Sequence, residues 1–425
     1  MASHLKPTIV DSAETTKITK RQPPNGLHAL VIGGGVTGLT TAWELNDRGY
    51  RVTVVAERYA SKHNRITSQI AGALWEWPPA VCGKHTDEIS LDKSKRWCMM
   101  TFHRFARMAA DPEVSKATGI RMRIANFFFG QPIETCAQQT KKMHEIAANV
   151  PGFRHDAAII NELGISPGYG VVDCYQHLSP ICDTDQYMQY LYDMLSKREG
   201  VTLTHGRVSG DLLQQEAELL KQYNADVIIN ASGLAARELA SDDTVYPLRG
   251  ALVRVINDGS RFPRITQAMS VSLDGREGAQ DMVFIVPRND NTLILGGLVE
   301  PRETNLNLTL DNYAPLRQMY ERNLAFYPDL RKAVIDPEYP FAVGLRPFRQ
   351  KNVRVEREDR VAASRIIHSY GQGGSGFTLS FGCAHDVGEI ADQIAREIRP
   401  QHHHHDWSAA QHSNKYAGHG RISRL

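Results

Sequence analysis

Residues 27–57 decide the fold, and they read LHALVIGGGVTGLTTAWELNDRGYRVTVVAE. The apolar run over 27–32 has the length and composition of a buried strand, and a G-x-G-x-x-G turn over 33–38 follows it. An amphipathic run then leads to a second apolar strand over 52–55, which ends near the acidic residue Glu57. Strand, glycine turn, helix, strand and acid in this order predict a βαβ unit that binds a dinucleotide.

The three glycines of this turn have different predicted roles. Gly33 makes the tight turn, Gly35 lets the backbone approach a pyrophosphate, and Gly38 allows close packing of the helix on the strand. Glu57 stands about twenty residues further on, at the strand end where an acidic side chain holds a ribose hydroxyl. The predicted contacts of this unit are Gly33, Gly35, Val36, Thr37, Gly38, Glu57 and Arg58.

The composition is that of an ordinary globular protein. The chain has 425 residues, of which 42% are hydrophobic and 23% are charged, so it is long enough for two domains. A net charge of +2 gives no case for nucleic acid or a membrane surface as a partner, and no apolar run is long enough to span a bilayer. The six cysteines show no CxxC and no pairing pattern, so neither a metal site nor a disulfide framework is expected.

A second glycine-rich stretch lies over 366–384 and reads IIHSYGQGGSGFTLSFGCA. Its five glycines between residues 371 and 382 let backbone amides approach a ligand. The spacing of His, Tyr and Gly in this stretch resembles the C-terminal signature of the D-amino-acid oxidase family, which includes the D-aspartate oxidases. The segment Gly-Leu-Arg-Pro at 344–347 is similar to the Gly-x-Arg-Pro segment of the same family. The resemblance extends over roughly residues 27–396.

The resemblance implies an α/β fold with two domains. A Rossmann-type FAD-binding domain is expected to be discontinuous, because its elements occur early, in the middle and at the end of the chain. A mostly antiparallel sheet is expected to form the substrate domain, in which residues 270–281 are a candidate lid. The expected bounds are 1–26 for a flexible leader, 27–90, 200–245 and 340–398 for the FAD-binding domain, 91–199 and 246–339 for the substrate domain, and 399–425 for a flexible tail.

The resemblance also implies further contacts with FAD, which is expected to bind non-covalently. A Thr/Ser pair followed by small residues is similar to the family's second flavin segment. A later strand and turn correspond to the adenosine half of the cofactor, and the glycine-rich signature corresponds to the isoalloxazine. The implied contacts are Thr67, Ser68, Gly72, Ala73 and Leu74 in the second flavin segment, Val208, Ser232 and Gly233 for the adenosine half, and Gly373, Gly374, Ser375, Gly376, Phe377 and Thr378 around the isoalloxazine.

Arg346 is the residue to which the resemblance assigns the catalytic role, as the clamp for the substrate carboxylate. A guanidinium fork matches a carboxylate in a two-point contact, although a structural salt bridge is the ordinary role of a single arginine. Gly374 and Ser375 are expected to line the substrate pocket as well, and the small side chain of Ser375 widens its floor. Arg349 and Arg354, which follow in the sequence, are expected to be surface charges.

Two expected substrate contacts depart from the family pattern. Phe284 stands where the family usually has a tyrosine, whose hydroxyl bond to the carboxylate is worth about 1.5–3 kcal/mol. Glu76 stands where the family usually has a non-acidic group. If Glu76 faces the pocket, it favours a neutral or cationic substrate side chain. If it faces solvent, it has no such effect, and the sequence does not decide between the two.

The resemblance implies oxidative deamination of a D-amino acid, with neutral or basic side chains favoured, by hydride transfer from the α-carbon to flavin N5. Dioxygen is the expected electron acceptor, and the products are a 2-oxo acid, ammonia and hydrogen peroxide. One alternative is a glycine- or secondary-amine-type flavin oxidase of specialised metabolism, which the missing hydroxyl at Phe284 supports. Another alternative is a flavin-binding protein without turnover, against which the intact Arg346 argues.

The last three residues, Ser423-Arg424-Leu425, resemble the Ser-Lys-Leu peroxisomal address. A peroxisomal matrix location, with an import receptor as a partner, is therefore expected, and a cytoplasmic location is the alternative. The sequence does not fix the oligomeric state, and it is compatible with a homodimer.

Overall fold

The structure, a computed structural model, describes residues 26–79, 85, 87–271 and 282–398. Its described part contains one β-sheet of six strands and one of nine strands, with helices packed on both. The predicted leader up to residue 25, the predicted tail with its C-terminal tripeptide, and all but the first two residues of the candidate lid lie outside the described residues.

The described strands and helices have the following bounds. The strands are β1 (His28–Ile32), β2 (Arg51–Ala56), β3 (Ile120–Phe129), β4 (Arg154–His155), β5 (Asp173–Cys182), β6 (Val201–His205), β7 (Val227–Asn230), β8 (Val245–Ile256), β9 (Ala268–Val271), β10 (Val283–Pro287), β11 (Thr292–Gly296), β12 (Glu300–Pro301), β13 (Phe341–Arg349), β14 (Arg354–Arg357) and β15 (Ile366–Tyr370). The α-helices are α1 (Val36–Asp47), α2 (Thr67–Ile70), α3 (Glu88–Ala110), α4 (Pro112–Thr118), α5 (Ala137–Asn149), α6 (Ala158–Glu162), α7 (Thr184–Ser196), α8 (Leu212–Gln222), α9 (Ala236–Leu239), α10 (Ala314–Phe326) and α11 (Gly376–Ile398).

The six-stranded sheet has the order β14-β15-β7-β1-β2-β6. Strands β15, β7, β1, β2 and β6 are parallel, and β14 adds an antiparallel edge. Every residue of β1 is buried, as a central parallel strand with helices on both faces requires. The predicted βαβ unit is therefore confirmed as β1, α1 and β2, and the carboxyl ends of the parallel strands meet at one edge.

The nine-stranded sheet has the order β12-β8-β11-β10-β9-β3-β5-β4, and β13 pairs with the other side of β8. It is antiparallel apart from the parallel pair of β3 and β9. Strands β8, β11 and β10 run antiparallel to one another, as expected for the sheet of the substrate domain. Residues 341–349 fall in the segment expected for the FAD-binding domain, but as β13 they pair with β8 in nine residue pairs, so they belong to this second sheet.

Close helix packing joins the glycine-rich signature to the helices next to the six-stranded sheet. Helix α11 packs between α1 and α3, and a Cβ atom on Gly382 would lie closer than 3.0 Å to the backbone of Trp97 on α3. Asp183 is the N-cap of α7, where its carboxylate accepts a hydrogen bond from the backbone amide of Gln186. Within the described ranges, none of the helices combines the length and the apolar character that a membrane span needs.

Candidate functional site

A cleft of about 560 Å³ opens at the carboxyl edge of the parallel strands, and β8 and β13 of the second sheet close its other side. This volume is in the range of cofactor sites. The lining includes the predicted residues Gly33, Gly35, Val36, Thr37, Glu57, Arg58, Thr67, Ser68, Gly72, Val208, Ser232, Gly233, Arg346, Gly373, Gly374, Gly376 and Phe377. The predicted residues outside this lining are Gly38, Ala73, Leu74, Glu76, Phe284, Ser375 and Thr378.

Backbone contacts that leave no room for side chains shape the glycine turn. Gly33 has a φ of +129°, and a Cβ atom on it would lie closer than 3.0 Å to the carbonyl oxygen of Ala231. A Cβ atom on Gly38 would lie equally close to the carbonyl oxygen of Gly33. The turn therefore requires glycine at both positions. Gly38 serves the close packing of helix on strand rather than the cleft itself.

Helix α1 presents an open N-terminus to the cleft. Its N-cap is Gly35, which has no side chain to cap the helix, and its first turn has no acidic residue. The Val36 amide donates to the Oγ of Ser68 at 3.0 Å, which places this predicted residue at the helix start. Helix α11 begins at Gly376 in the cleft lining, also without an acidic residue in its first turn. Two helix N-termini without nearby acids form a site for anionic groups such as a pyrophosphate.

Charged side chains follow β2 at the far end of the cleft. Glu57 and Arg58 are exposed, and Arg58 donates to the Oδ1 of Asn64 at 3.2 Å. Glu57 forms no ion pair within the described residues, so its carboxylate is free to accept hydrogen bonds from ribose hydroxyls. Arg207, beside the predicted Val208, also lines this end, and the sequence pattern did not indicate it.

Arg346 enters the cleft from β13, and its guanidinium pairs with no carboxylate of the described residues. Its Nη1 donates to the carbonyl oxygens of Arg249 and Leu298 at 3.4 and 3.3 Å. Among the described residues, no carboxylate oxygen lies within 4.0 Å of this guanidinium. The guanidinium lies over Gly250, where a side chain would collide with it. With only two long hydrogen bonds, the guanidinium keeps donors for a carboxylate ligand, and the described residues offer no salt bridge as an alternative.

Phe284 stands on β10, directly behind the cleft wall. A Cβ atom on Gly72 would lie 2.7 Å from the Cε1 and Cζ atoms of its ring. Gly72 lines the cleft and Phe284 does not, so the ring supports the wall and requires glycine in front of it. Its predicted contact with the substrate stays a prediction.

Glu76 lies outside the cleft lining, in an ion pair. Its Oε1 is 3.4 Å from the Nζ of Lys142, and the two side chains are only 22% and 11% exposed. Lys142 also donates to the carbonyl oxygen of Pro79 at 2.8 Å. This ammonium compensates the charge of Glu76, whose orientation the sequence leaves open, and the predicted contact of Glu76 with the substrate stays a prediction. The partner comes from α5, 66 residues further along the chain, where no local pattern reveals it.

His368 and Tyr370 of the glycine-rich signature hold the structure together. Burial lowers the pKa of His368 to about 4, so the ring is neutral, and its Nε2 lies 3.2 Å from Glu358. The Tyr370 hydroxyl donates to Asp242 and accepts from Arg354, both at 2.9 Å. These bonds fix β15 next to the glycine turn that follows it.

Arg349 and Arg354 are not the surface charges that the sequence suggests. Arg354 is buried, and the Nε of Arg349 lies 2.7 Å from the Asp242 carboxylate. Burial alone would raise the pKa of Asp242, but hydrogen bonds from Thr244, Arg349 and Tyr370 lower it to about 2. Arg349 therefore neutralises a buried acid, whereas Arg354 pairs with Glu356 at 2.7 Å. Strand register and tertiary packing create both pairings.

Four other predicted contacts lie beside the cleft. Ala73 adopts a positive φ of 49°, and Leu74 forms a bridge with Ile181 of β5. Ser375 and Thr378 are buried at the start of α11, where the glycines around them line the cleft instead. Their predicted roles toward the cofactor stay predictions.

The lining also contains side chains that the sequence pattern did not indicate. Leu306 is 48% exposed and comes from the loop before α10, and Gln372 is buried beneath the glycine-rich turn. Arg65 pairs with Asp185 at 3.0 Å and stacks on the ring of Tyr339 at 3.9 Å. A usable signal existed for Gln372, which lies inside the signature, but the others reach the cleft through tertiary packing alone.

Three side chains that could ligate a metal, Glu134, His155 and Asp173, lie together outside the cleft lining. The Asp173 carboxylate accepts hydrogen bonds from the amides of Ile133 and Cys174, both at 2.8 Å. It also lies 2.9 Å from the Nε2 of His155. These bonds account for the buried carboxylate without an ion.

A parallel sheet with a glycine turn, two open helix N-termini and a large shared cleft defines a dinucleotide-dependent enzyme. Residues 28–390 match the family model of FAD-dependent oxidoreductases named DAO, so the chain belongs to the DAO family. The chain is 34% identical over 367 residues to the D-amino-acid oxidase of Rubrobacter xylanophilus, covering 85% of this chain and 95% of that protein. It is 30% identical over 362 residues to the D-amino-acid oxidase of Streptomyces coelicolor, covering 85% and 96%.

Solved structures show the same fold. The crystal structure of glycine oxidase from Geobacillus kaustophilus has a TM-score of 0.64 at 14% sequence identity, covering 87% of this chain and 95% of that chain. Membership of the DAO family and the two D-amino-acid oxidase relatives show that FAD is the cofactor of this protein, which is an FAD-dependent oxidoreductase acting on amino acids. The glycine turn and the start of α1 would hold the pyrophosphate, Glu57 the ribose, and the start of α11 the isoalloxazine.

Proposed function

We propose that this protein oxidises D-amino acids with neutral side chains. A D-amino acid, dioxygen and water would give a 2-oxo acid, ammonia and hydrogen peroxide. FAD, when bound, supplies the two-electron oxidation of the substrate and passes the electrons to dioxygen. The case for basic side chains, which the sequence alone suggests, is weaker because Lys142 already compensates the charge of Glu76.

The observation that carries this proposal is the free guanidinium of Arg346 in the cleft. By contrast, Arg65 of the same lining pairs with Asp185 at 3.0 Å, and Arg349 of the same strand pairs with Asp242 at 2.7 Å. A half-buried cation without an anion favours an anionic ligand, and its fork suits the carboxylate of an amino acid. The guanidinium would fix the carboxylate and thereby orient the α-carbon toward the isoalloxazine.

The apolar surroundings of the cleft support a neutral substrate side chain. Leu252, Val343 and Ile70 line the same cleft as Arg346, and the ring of Phe284 backs the wall at Gly72. A charged side chain placed against these groups would lose its hydration without gaining a partner. Neutral side chains meet no such cost.

A substrate panel tests the proposal. The FAD-loaded protein is assayed for hydrogen peroxide and ammonia with D- and L-alanine, D-methionine, D-arginine, D-aspartate, glycine and N-methylglycine. The proposal expects the highest kcat/KM with neutral D-amino acids and little turnover of their L-enantiomers. Equal turnover of both enantiomers, or the highest efficiency with D-aspartate, would contradict it.

A second candidate function is the oxidation of glycine or a secondary amine. Its support is Phe284, where the chain departs from the tyrosine that the resembled family usually has, so that the substrate contacts would differ from those of a D-amino-acid oxidase. The same panel separates the two functions. Highest efficiency with N-methylglycine or glycine would support the second candidate over the first.

We also propose a peroxisomal location, which fits the formation of hydrogen peroxide. Its support is the C-terminal Ser423-Arg424-Leu425. A fluorescent protein fused in front of the chain should enter peroxisomes, and removal of the three residues should leave it in the cytosol. An identical diffuse distribution of both fusions would count against the address.

A further inference from the structure

Residues 71–74, which we call the wall loop, run between the cleft and the end of β5. Ala71 and Gly72 line the cleft. Behind them, the Ala73 carbonyl accepts from the Cys182 amide at 3.2 Å, and Leu74 bridges Ile181. The loop is strained at Ala73, a non-glycine residue with a positive φ. It therefore depends on contacts from outside itself to keep its course beside the flavin site.

Arg288 supplies the strongest of these contacts. Its Nη1 donates to the carbonyl oxygen of Cys182 at 2.7 Å, and its Nη2 donates to the carbonyl oxygen of Ala71. One guanidinium thus ties the wall loop to β5 from the end of β10, the strand that also carries Phe284. A planar fork with fixed donors suits two carbonyls from separate segments, which a single ammonium does not.

The charge of Arg288 is buried and uncompensated at close range. The residue is 4% exposed, and its Nε has no hydrogen-bond partner within the described part of the chain. No carboxylate oxygen of the described residues lies within 4.0 Å of it. Burial lowers the pKa of this guanidinium, and the nearby Asp183, which raises it, is itself bonded to Asn289 at 2.8 Å. An arginine stays protonated in such surroundings, so the positive charge of the guanidinium sits behind the wall loop without a carboxylate in direct contact among the described residues.

The groups on the outer side of Arg288 do not neutralise it. Arg121 and Arg123 of β3 line a small surface depression together with Arg288. The exposed carboxylate of Asp290 lies 3.5 and 3.7 Å from these two arginines and is shared between them. The surroundings of Arg288 therefore hold charges of both signs, and none of the described carboxylates pairs directly with its guanidinium.

We propose that Arg288 is a positioning residue for the flavin: it fixes the wall loop against the isoalloxazine and places a fixed positive charge behind it. A positive charge near the flavin stabilises the additional negative charge that reduction brings, so it raises the midpoint potential of the bound flavin. The inference depends on FAD as the cofactor and not on the proposed D-amino acid substrate, so the substrate panel can fail while it stands.

The test uses Arg288→Met and Arg288→Lys in the full chain. The methionine variant removes both donors and the charge, so the Kd for FAD should rise about tenfold or more and the midpoint potential of bound FAD should become more negative. The lysine variant keeps the charge, so its potential should stay near that of the wild type while its Kd still rises. Hydrogen exchange of the amides in the wall loop should accelerate in both variants.

Arg254→Met is the matched control. Arg254 is also a largely buried arginine of the second sheet, but it pairs with Asp336 at 3.2 Å and stacks over Tyr339. Its loss should lower the melting temperature of the apoprotein and leave the FAD affinity and the potential unchanged. Wild-type affinity and potential in Arg288→Met, or equal shifts in Arg254→Met, would overturn the proposal. If Arg288→Met does not fold, a wild-type Kd in Arg288→Lys would overturn it.

Discussion

The cofactor end of the cleft and its substrate wall, which runs along β8, β10 and β13, differ in the kind of atoms that form their surfaces. Around the glycine turn and the start of α11, backbone atoms form the surface, and glycines such as Gly33 exist because a side chain would collide. Along β8, β10 and β13, side chains form or support the surface, and Arg346 and Phe284 owe their positions to strand register. A site formed by backbone atoms can be predicted from a short stretch of sequence. A site formed by side chains depends on partners from distant segments of the chain.

The largest expected effect is on the substrate wall, at Arg346. Arg346→Ala should lower kcat/KM for neutral D-amino acids by about 100- to 10,000-fold, because two charge-assisted hydrogen bonds to the carboxylate are lost. Arg346→Lys should recover little, since the fork is gone. FAD titration should give the wild-type Kd in both variants. The control is Arg317→Ala, at an exposed position with a weak ion pair, which should leave kcat/KM unchanged.

A change at Gly33 should have the opposite effect from a change at Arg346, because it should abolish FAD binding rather than substrate turnover alone. Gly33→Ala places a Cβ atom against the carbonyl oxygen of Ala231 and strains a positive φ, so unfolding should require about 3 kcal/mol less and FAD binding should be lost. Gly164→Ala is the matched control, because Gly164 also has a positive φ but no atom within 4 Å of the added carbon. It should cost about 1–2 kcal/mol and keep FAD. Equal losses in both variants would show that strain alone, and not the collision, decides.

The acid network beside the glycine-rich turn should respond to pH. The pKa of Asp242 is about 2, below its ordinary value of 3.8, so its stabilisation is complete above about pH 4 and is lost as the pH falls toward 2. Asp242→Asn should lower the free energy of unfolding at neutral pH by about 2 kcal/mol and flatten the loss between pH 4 and 2. Urea titrations between pH 2 and 7 measure the free energy of unfolding of both proteins. Asp243→Asn, at a 91% exposed side chain, should change neither the stability at neutral pH nor its loss in acid. If the stability of Asp242→Asn still fell steeply between pH 4 and 2, the low pKa would not belong to Asp242.

The smallest expected effect is at Glu76. Because Lys142 compensates its charge, Glu76→Gln should change the ratio of kcat/KM for D-alanine and D-aspartate by less than about threefold. Lys142→Met leaves the carboxylate without its partner and should shift the ratio further against D-aspartate. A tenfold or larger rise in D-aspartate efficiency in Glu76→Gln would show that this carboxylate acts on the substrate.

Much of the backbone-built region could be predicted from the sequence. The turn at Gly33, the helix after it and the acid at Glu57 follow one another within a single βαβ unit, so the spacing alone carries the geometry. The N-cap at Asp183 is local in the same way, because its carboxylate accepts from the backbone amide of Gln186, three residues away. Where all the partners of a turn or cap lie within a few residues, the local sequence pattern is enough to predict it.

The side-chain-built region could not be predicted to the same depth. Glu76 finds Lys142 on another helix, and Arg288 reaches Ala71 across 217 residues. Arg354 reads as an ordinary surface arginine until β14 pairs with β15 and brings it to Tyr370. In each case the sequence supplies the residue type, and the tertiary fold decides whether its charge faces a ligand, a partner or solvent.

Anaerobic mixing of the FAD-loaded protein with amino acids tests the central claim most directly. The loss of visible flavin absorbance reports the transfer of electrons from the substrate, without any contribution from dioxygen. We expect D-alanine to bleach the wild-type flavin rapidly, L-alanine to leave it coloured, and D-alanine to leave Arg346→Ala coloured although FAD remains bound. Equal bleaching of the wild type and Arg346→Ala by D-alanine would contradict the account of the substrate wall.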